Sequence, residues 1–320
     1  MLWDIWRFNA TSKRMLKNGD NIDLTLATLL QRERYGRAFR DHYLLPMTAA
    51  IWSCPVAAML EFPAYALLQF LNNHGLLDIT GRPSWRTVVG GSARYIDHLL
   101  APPSVRARTN APVRRIARRR DQLEVTFGGG HREQFQAVVV ATHADQALAM
   151  LDQPSPLERE LLRTFRYQDN RAVLHSDPTL MPKRRRVWSS WNYLTATRNA
   201  AGGEDSRVSV TYWLNRLQRL TVAKPYFVSL NPVREAASVL DAFNYAHPIF
   251  DRAALAAQRQ LDRLQGYGGV WFCGSYFGYG FHEDALASAV GVARDFGVNP
   301  PWQSAPAPEA SAALIAARTT

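Results

Sequence analysis

The sequence predicts two fold types in one chain, an α/β part and an α+β part, and three observations carry that expectation. Residues 269–296 read as a short buried strand, a glycine-aromatic loop and a helix. Residues 112–141 read as a strand hairpin and then a strand apolar on both faces, the mark of a strand inside a sheet. From about Arg171 to Leu230 runs a series of aromatic-rich strand candidates, after a first 80 residues of helical texture. Hydrophobic residues make up 47% and charged residues 20% of the 320. Such a chain can bury a sizeable core, which excludes a mostly disordered chain and a small disulfide-stapled scaffold.

Taken in order, the opening MLWDIWRFNA is not a secretory leader, because Asp4 and Arg7 interrupt any apolar core. Leu24, Leu26, Leu29 and Leu30 lie near helical spacing, and Tyr35, Phe39 and Tyr43 continue the stripe in steps of four. The longest uncharged stretch, His42 to Leu60, contains Pro46, Thr48, Ser53 and Pro55. It reads as buried helices broken by turns rather than a lipid-spanning segment. Further apolar helix runs past Pro63 to Leu71, and Asn72 to Gly75 is its stop. Val88-Val89 reads as a strand entering a Gly90-Gly91-Ser92 turn, and Ala93 to Leu100 as a helix halted before Pro102.

In the hairpin, Leu123, Val125 and Phe127 share one face and Glu124 and Thr126 the other. Gly128 to Gly130 turns the chain into the buried strand Ala137 to Ala141. The later strand candidates are Ala172 to His175, Val187 to Trp191, Val208 to Trp213 and Tyr226 to Leu230, with a loop at Ala200 to Asp205. Their aromatics (Trp188, Trp191, Tyr193, Tyr212, Trp213, Tyr226, Phe227) suit an apolar pocket wall and equally an ordinary packed sheet. Gly269 to Gly274 is the last strand, Ser275 to Phe281 the loop and Glu283 to Phe296 the last helix. The Ala/Pro/Ser-biased tail beyond Pro301 is expected to be disordered.

Chemistry concentrates at that last unit. A strand ending in glycine lets a ligand approach the backbone, and the next helix turns its N–H groups and positive dipole end toward the strand tip. An electron-rich group would be stabilised there. An ordinary βα unit, with Glu283 and Asp284 favouring the helix dipole, explains the same residues as well.

The segment VWFCGSYFGYGFHEDALASAV resembles the C-terminal flavin-binding segment of the amine-oxidase-like FAD oxidoreductases. VVGGSARYIDHLL, VRARTNAPVRRIARRRDQLEVTF and FQAVVVATHADQALAML resemble their internal Gly-Gly helix, strand hairpin and V-V-x-A strand end. AAIWSCP, FLNNHGLL, SSWNYL, VTYWLNRLQ and GYGFHED are similar to a bacterial branch described as predicted NAD/FAD-binding protein, akin to the flavin domain fused to some cyclopropane fatty acid synthases.

The resemblance covers nearly the whole chain up to Pro300. It implies a partial FAD/NAD(P)-binding, Rossmann-like domain interleaved with a mixed-sheet and helical substrate domain. The expected parts are a helical cap over 1–80, FAD-domain segments over 81–150 and 266–299, a substrate domain with an antiparallel sheet over 151–265, and the tail 300–320.

By that resemblance Val113 meets the adenine end of a non-covalent FAD through its backbone. Gly274 and Ser275 lie along the pyrophosphate and ribityl region, and Glu283, Asp284 and Ala285 present the helix N-terminus to the flavin ring. Ala285 departs from the glycine usual there. The larger departure is that no G-x-G-x-x-G fingerprint occurs. The chain is therefore expected to begin inside the family, lacking at least a first βαβ unit of ~30 residues, and a complementing N-terminal fragment becomes an expected partner.

The implied activity is hydride transfer from an amine or a fatty acyl chain to flavin N5. Catalytic residues are not assigned; His282, Tyr279 and Trp52 are the candidates that the resemblance gathers near the flavin. Cys54 and Cys273 sit in apolar runs as inert thiols, and His42, His98 and His143 are too scattered for a metal site.

The charge is +11. Arg114, Arg115, Arg118, Arg119 and Arg120 form one basic cluster and Lys183 to Arg186 another. They read as solvated surface, or as a contact with anionic lipid on a cytoplasmic protein peripheral to the inner membrane. A second reading of the chain is a non-catalytic interaction or lipid-surface subunit or a gene remnant. A third is a nucleic-acid-binding protein, although no recognised binding module accompanies the charge and no nucleic-acid partner is expected.

Overall fold

A computed structural model describes residues 1–19, 24–52, 56–78, 80–81, 86–195 and 208–302. Cys54, the loop from Ala200 to Asp205 and the tail beyond Trp302 lie outside the described residues.

Along the chain come helices α1 (Leu2–Asn18), α2 (Leu26–Arg32), α3 (Arg37–Phe39), α4 (Leu45–Trp52), α5 (Val56–Leu60), α6 (Ala64–Asn73) and α7 (Ala93–Leu100). Strands β1 (Val113–Arg118), β2 (Leu123–Phe127), β3 (Arg132–Phe135) and β4 (Val138–Val140) follow, then helices α8 (Ala144–Met150) and α9 (Pro156–Leu162). Next are β5 (Arg166–His175), β6 (Trp191–Thr195), β7 (Val208–Trp213), α10 (Leu214–Leu217), β8 (Phe227–Leu230) and β9 (Val239–Ile249). The chain closes with α11 (Arg252–Gln258), β10 (Val270–Phe272) and α12 (His282–Asp295).

The architecture is mixed α/β and the chain divides into two interleaved units: Met1–Val105 with Gln168–His247, and Arg106–Tyr167 with Pro248–Thr320. In the first, Tyr35, Phe39 and Tyr43 pack in a row with ring centroids 5.1 and 5.7 Å apart, but not as one helical stripe: α2 ends at Arg32, Arg34 takes a left-handed φ of 52°, and Tyr35 lies before α3. Pro46 does not end its helix. It has no N–H for the carbonyl four residues back, so the ladder widens into a π-helical turn at Arg40–Leu44, where the Leu45 N–H reaches the Arg40 carbonyl. The stop after α6 is as expected, with the His74 N–H on the Phe70 carbonyl at 3.1 Å.

Two strand expectations in the first unit fail. Val88 and Val89 form no strand; both are exposed and pair with no strand among the described residues. Val187 ends a 3₁₀ turn, Arg185–Val187, and the strand begins only at Trp191.

The first unit's sheet has the order β6-β7-β8-β5-β9. One face carries a sealed polar row among Val173, Leu194, Trp213 and Phe227. Asn192, Thr211, Ser229 and His175 are all buried, and register places Asn192 opposite Thr211, Thr211 opposite Ser229 and His175 opposite Phe227. Most buried hydroxyls are paired, and here three of these four side chains form one chain of hydrogen bonds. His175 Nδ1 accepts the Asp177 N–H at 3.2 Å, so its Nε2 carries the hydrogen and donates to Ser229 Oγ at 2.8 Å. Ser229 is 2.7 Å from Thr211 Oγ1, which in turn faces the Leu180 carbonyl at 3.5 Å.

The second unit is two sheets around one core. The meander β1-β2-β3 runs antiparallel, and β10 and β4 form a parallel pair with Val270 opposite Val138 and Phe272 opposite Val140. Val140, Val270, Phe272, Leu123, Ile116 and Tyr276 share the buried cluster between them. On the pair's other face α12 covers Trp271 and Cys273 through Val292. Val139 on that face is 44% exposed. The strand read as fully buried is thus half covered, because β10 is its only neighbour among the described residues.

Candidate functional site at the strand tips of the parallel pair

Parallel strands bring their carboxyl ends to one edge, which is where open α/β sheets hold ligands. Here the Cys273 N–H meets the Val140 carbonyl at 3.1 Å, so Thr142 and Gly274 leave the sheet side by side. Each is followed by a helix. The start of α8 is occupied by its own unit: the Ala144 N–H donates to the Tyr167 hydroxyl at 2.9 Å, and the His143 ring stacks on Tyr167 at 4.3 Å. Burial pushes the Tyr167 phenol up to about 12, which keeps it a neutral hydrogen-bonding group. The α12 end is the open one. His282 and Glu283 are exposed, and as first-turn residues their N–H groups have no intrahelical acceptor.

The loop between β10 and α12 is held by side chains that the sequence reading did not foresee. Gln258 Nε2 donates to the carbonyls of Tyr276 at 2.9 Å and Gly278 at 2.6 Å. Asp284 Oδ2 accepts the Phe281 N–H at 2.9 Å, and a Cβ on Gly278 would strike the Asp284 carboxylate. Ser288 Oγ accepts the Gly274 N–H at 2.9 Å and donates to the Ala285 carbonyl at 2.8 Å. A Cβ on Gly274 would lie 2.8 Å from the Tyr276 ring and 3.2 Å from the Thr142 carbonyl. Glycine at 274 therefore answers first to the chain's own packing.

The residues singled out from sequence fall into two places. Gly274, Ser275, Glu283, Asp284 and Ala285 form one loop-and-helix unit, joined through Ser288. Val113 opens β1, the edge strand of the meander, and packs on the same core cluster as Phe272 and Tyr276. The Phe127 N–H opposite it goes to the His131 carbonyl and the Gly128 N–H to Pro112, so neither draws on Val113. Tyr279 and His282 lie in the loop and the first turn of α12, while Trp52 belongs to the first unit, packed on Phe62 and Phe70 at 5.0 and 4.6 Å. Cys273 is buried behind the tip, and burial raises its thiol pKa.

The Tyr276 hydroxyl is buried inside the core cluster with no hydrogen-bond partner, as are the Tyr193 and Ser209 hydroxyls, so it does not point to a ligand. One observation fits a flavin at this edge. The Ser275 hydroxyl, beside the open start of α12, makes no hydrogen bond among the described residues. The Gly274 N–H, held by Ser288, is not available to a phosphate. Gln258 and Ser288 gave no signal in sequence because each acts on backbone 14–20 residues away.

The comparisons bear on the family and the fold. The family model for flavin containing amine oxidoreductase matches residues 10–175. A fatty acid isomerase from P. acnes that produces CLA is similar in fold, with a TM-score of 0.59 and 14% identity over 87% of this chain and 67% of that one. An engineered double mutant of putrescine oxidase has a TM-score of 0.62 and 14% identity over 91% of this chain and 74% of that one. No curated protein matches in sequence. With a family model that spans just over half of its residues, the chain belongs to the flavin containing amine oxidoreductases.

Proposed function

We propose that the chain binds FAD non-covalently and serves the oxidation of an amine or a fatty acyl chain, the acyl chain being the favoured class. The observation that carries this is the open α12 start, with its exposed first turn, at the carboxyl edge of a parallel pair. A bound flavin supplies two-electron acceptance from a substrate C–H bond.

The chain's own residues do the rest. N–H groups of His282 and Glu283, with the α12 dipole, favour negative charge placed against them. Asp284 accepts the Phe281 N–H, so its carboxylate caps the loop. Gln258 fixes the loop carbonyls, and the Ser275 hydroxyl is left to bind. Val113 offers backbone at a sheet edge for the adenine end. The β4 edge left unpaired among the described residues fits an added parallel strand carrying the glycine fingerprint for the pyrophosphate, from further chain or a complementing partner.

The preference for an acyl chain rests on the apolar face of the five-stranded sheet, where Trp191, Tyr193, Tyr212, Leu174 and Val228 share one side by register. Putrescine oxidase among the similar folds keeps the amine in view. The test is to add FAD to the purified chain, remove the excess and record the visible spectrum. Retained absorbance with a protein-shifted band supports the reading. A folded chain that retains no FAD overturns cofactor binding by this chain.

A further inference from the structure

We propose that the outward face of α1 is a docking surface for an anionic lipid bilayer. The inference goes beyond the flavin reading and does not depend on it. At 3.6 residues per turn, Leu2, Trp3, Trp6, Ala10, Lys13, Arg14 and Lys17 fall within one arc of about 120°, and all seven are exposed. Phe8, Ser12 and Met15 on the opposite side are buried. Asp4 lies off the arc, bound to Arg7 at 3.0 Å.

The arc is ordered along the helix. Its first two turns present Leu2 and two indoles, Trp3 at 66% and Trp6 at 52% exposure, stacked 4.9 Å apart at 17°. Its last two turns present cations. Lys13 shares its charge with Asp78 at 2.5 Å, whereas Arg14 and Lys17 form no ion pair among the described residues.

Stacked indoles left in water forfeit apolar burial. An indole has an apolar body and a polar N–H, so it settles at the boundary between acyl chains and headgroups. Cations on the same face meet anionic headgroups. Charge complementarity therefore selects an anionic bilayer from the occupants that would cover two indoles.

The basic cluster on β1 and the turn after it is a weaker candidate for the same partner. Arg115 is bound to Asp152 at 2.6 and 2.7 Å, Arg118 to Glu158 at 2.5 Å and Arg119 to Glu124 at 2.7 Å. Most of that charge is answered inside the fold.

The test is flotation of the full chain with phosphatidylcholine vesicles, with and without a quarter of phosphatidylglycerol. It is run on the wild type, on Trp3→Ser/Trp6→Ser and on Arg14→Glu/Lys17→Glu. All four positions are exposed, and unchanged circular-dichroism melts verify that the variants fold. The expected result is binding to the phosphatidylglycerol vesicles, weakened about tenfold or more in each double variant. Brominated lipid should quench tryptophan emission in the wild type and lose that effect in the Trp variant. The proposal is overturned if the wild type does not float, if the Trp variant floats equally well, or if the indoles instead mediate a lipid-independent dimer in light scattering. Flavin plays no part in any of these readouts, so failure here leaves the cofactor reading standing.

Discussion

A proton on His175 has no place to go. Its Nδ1 already accepts the Asp177 N–H, and Nε2 is committed to Ser229, so the sealed face of the sheet is built for the neutral ring. Burial pushes its pKa below the ordinary 6.5, with the Asp177 carboxylate pulling the other way. The folded chain therefore binds this proton less readily than the unfolded one. Stability is whole above pH 6.5 and falls as pH drops below it. Asp177 adds a lower window. Burial opposes its ionisation, but the N–H groups of Ala237 and Thr179 and the Thr179 hydroxyl outweigh that and hold its carboxyl at about 2, against 3.8. Its share is kept above pH 3.8 and lost toward pH 2. Thermal melts from pH 8 to 5 should show a falling midpoint, and His175→Gln should flatten that fall; an equal slope in the variant would place the proton elsewhere. At the site itself, Gly274→Ala should cost about 1–3 kcal/mol in urea unfolding, because one contact of the new methyl is a backbone carbonyl that cannot rotate away.

Among the elements, α12 depends on its own side chains for its first turn. Asp284→Ala removes the acceptor of the Phe281 N–H and should cost about 1 kcal/mol of stability. Faster hydrogen exchange at the Phe281 amide would locate that loss, and unchanged exchange there would contradict the capping role. The pattern of what the sequence disclosed follows the same local logic. The β1–β2 hairpin was legible because its alternation and its turn lie within 15 residues, Val113 to Phe127. The β10–loop–α12 unit was legible because strand, glycines and helix are consecutive. Strand β9 gave no alternating signal, since Val239 to Tyr245 is exposed on both faces. Val88-Val89 has strand-forming residues but no partner strand, and propensity without pairing does not make a sheet. Within the site, residue types on the loop could be read, but not that Ser288 and Asp284 would engage the backbone beside them, because that depends on how α12 returns to the strand tip.

At the scale of the molecule, the outer strand β9 stands apart from the other exposed apolar surfaces. It runs for 11 residues at the end of the order β6-β7-β8-β5-β9. Val239, Leu240, Phe243 and Tyr245 are exposed along it, with the last two rings stacked at 6.0 Å. Unlike the α1 face, it carries no cation from Val239 to Ala246, and Asp241 is its single charge. What it offers is a row of backbone N–H and C=O groups with apolar side chains beside them, the arrangement that pairs with another strand unless charge or a covering element intervenes. The expected partner is a second copy of the same edge. Light scattering of the chain should therefore report association that grows with concentration. Phe243→Lys/Tyr245→Lys should reverse it, because lysines on an outer strand repel their counterparts at close approach. Both side chains are exposed, so the double variant should leave the stability of the single chain within about 0.5 kcal/mol per site. Association that persists undiminished in the variant would move the contact away from β9, and the other exposed runs of strand and helix, Val139 on β4 and Ile96 and Leu99 on α7, would be next in line.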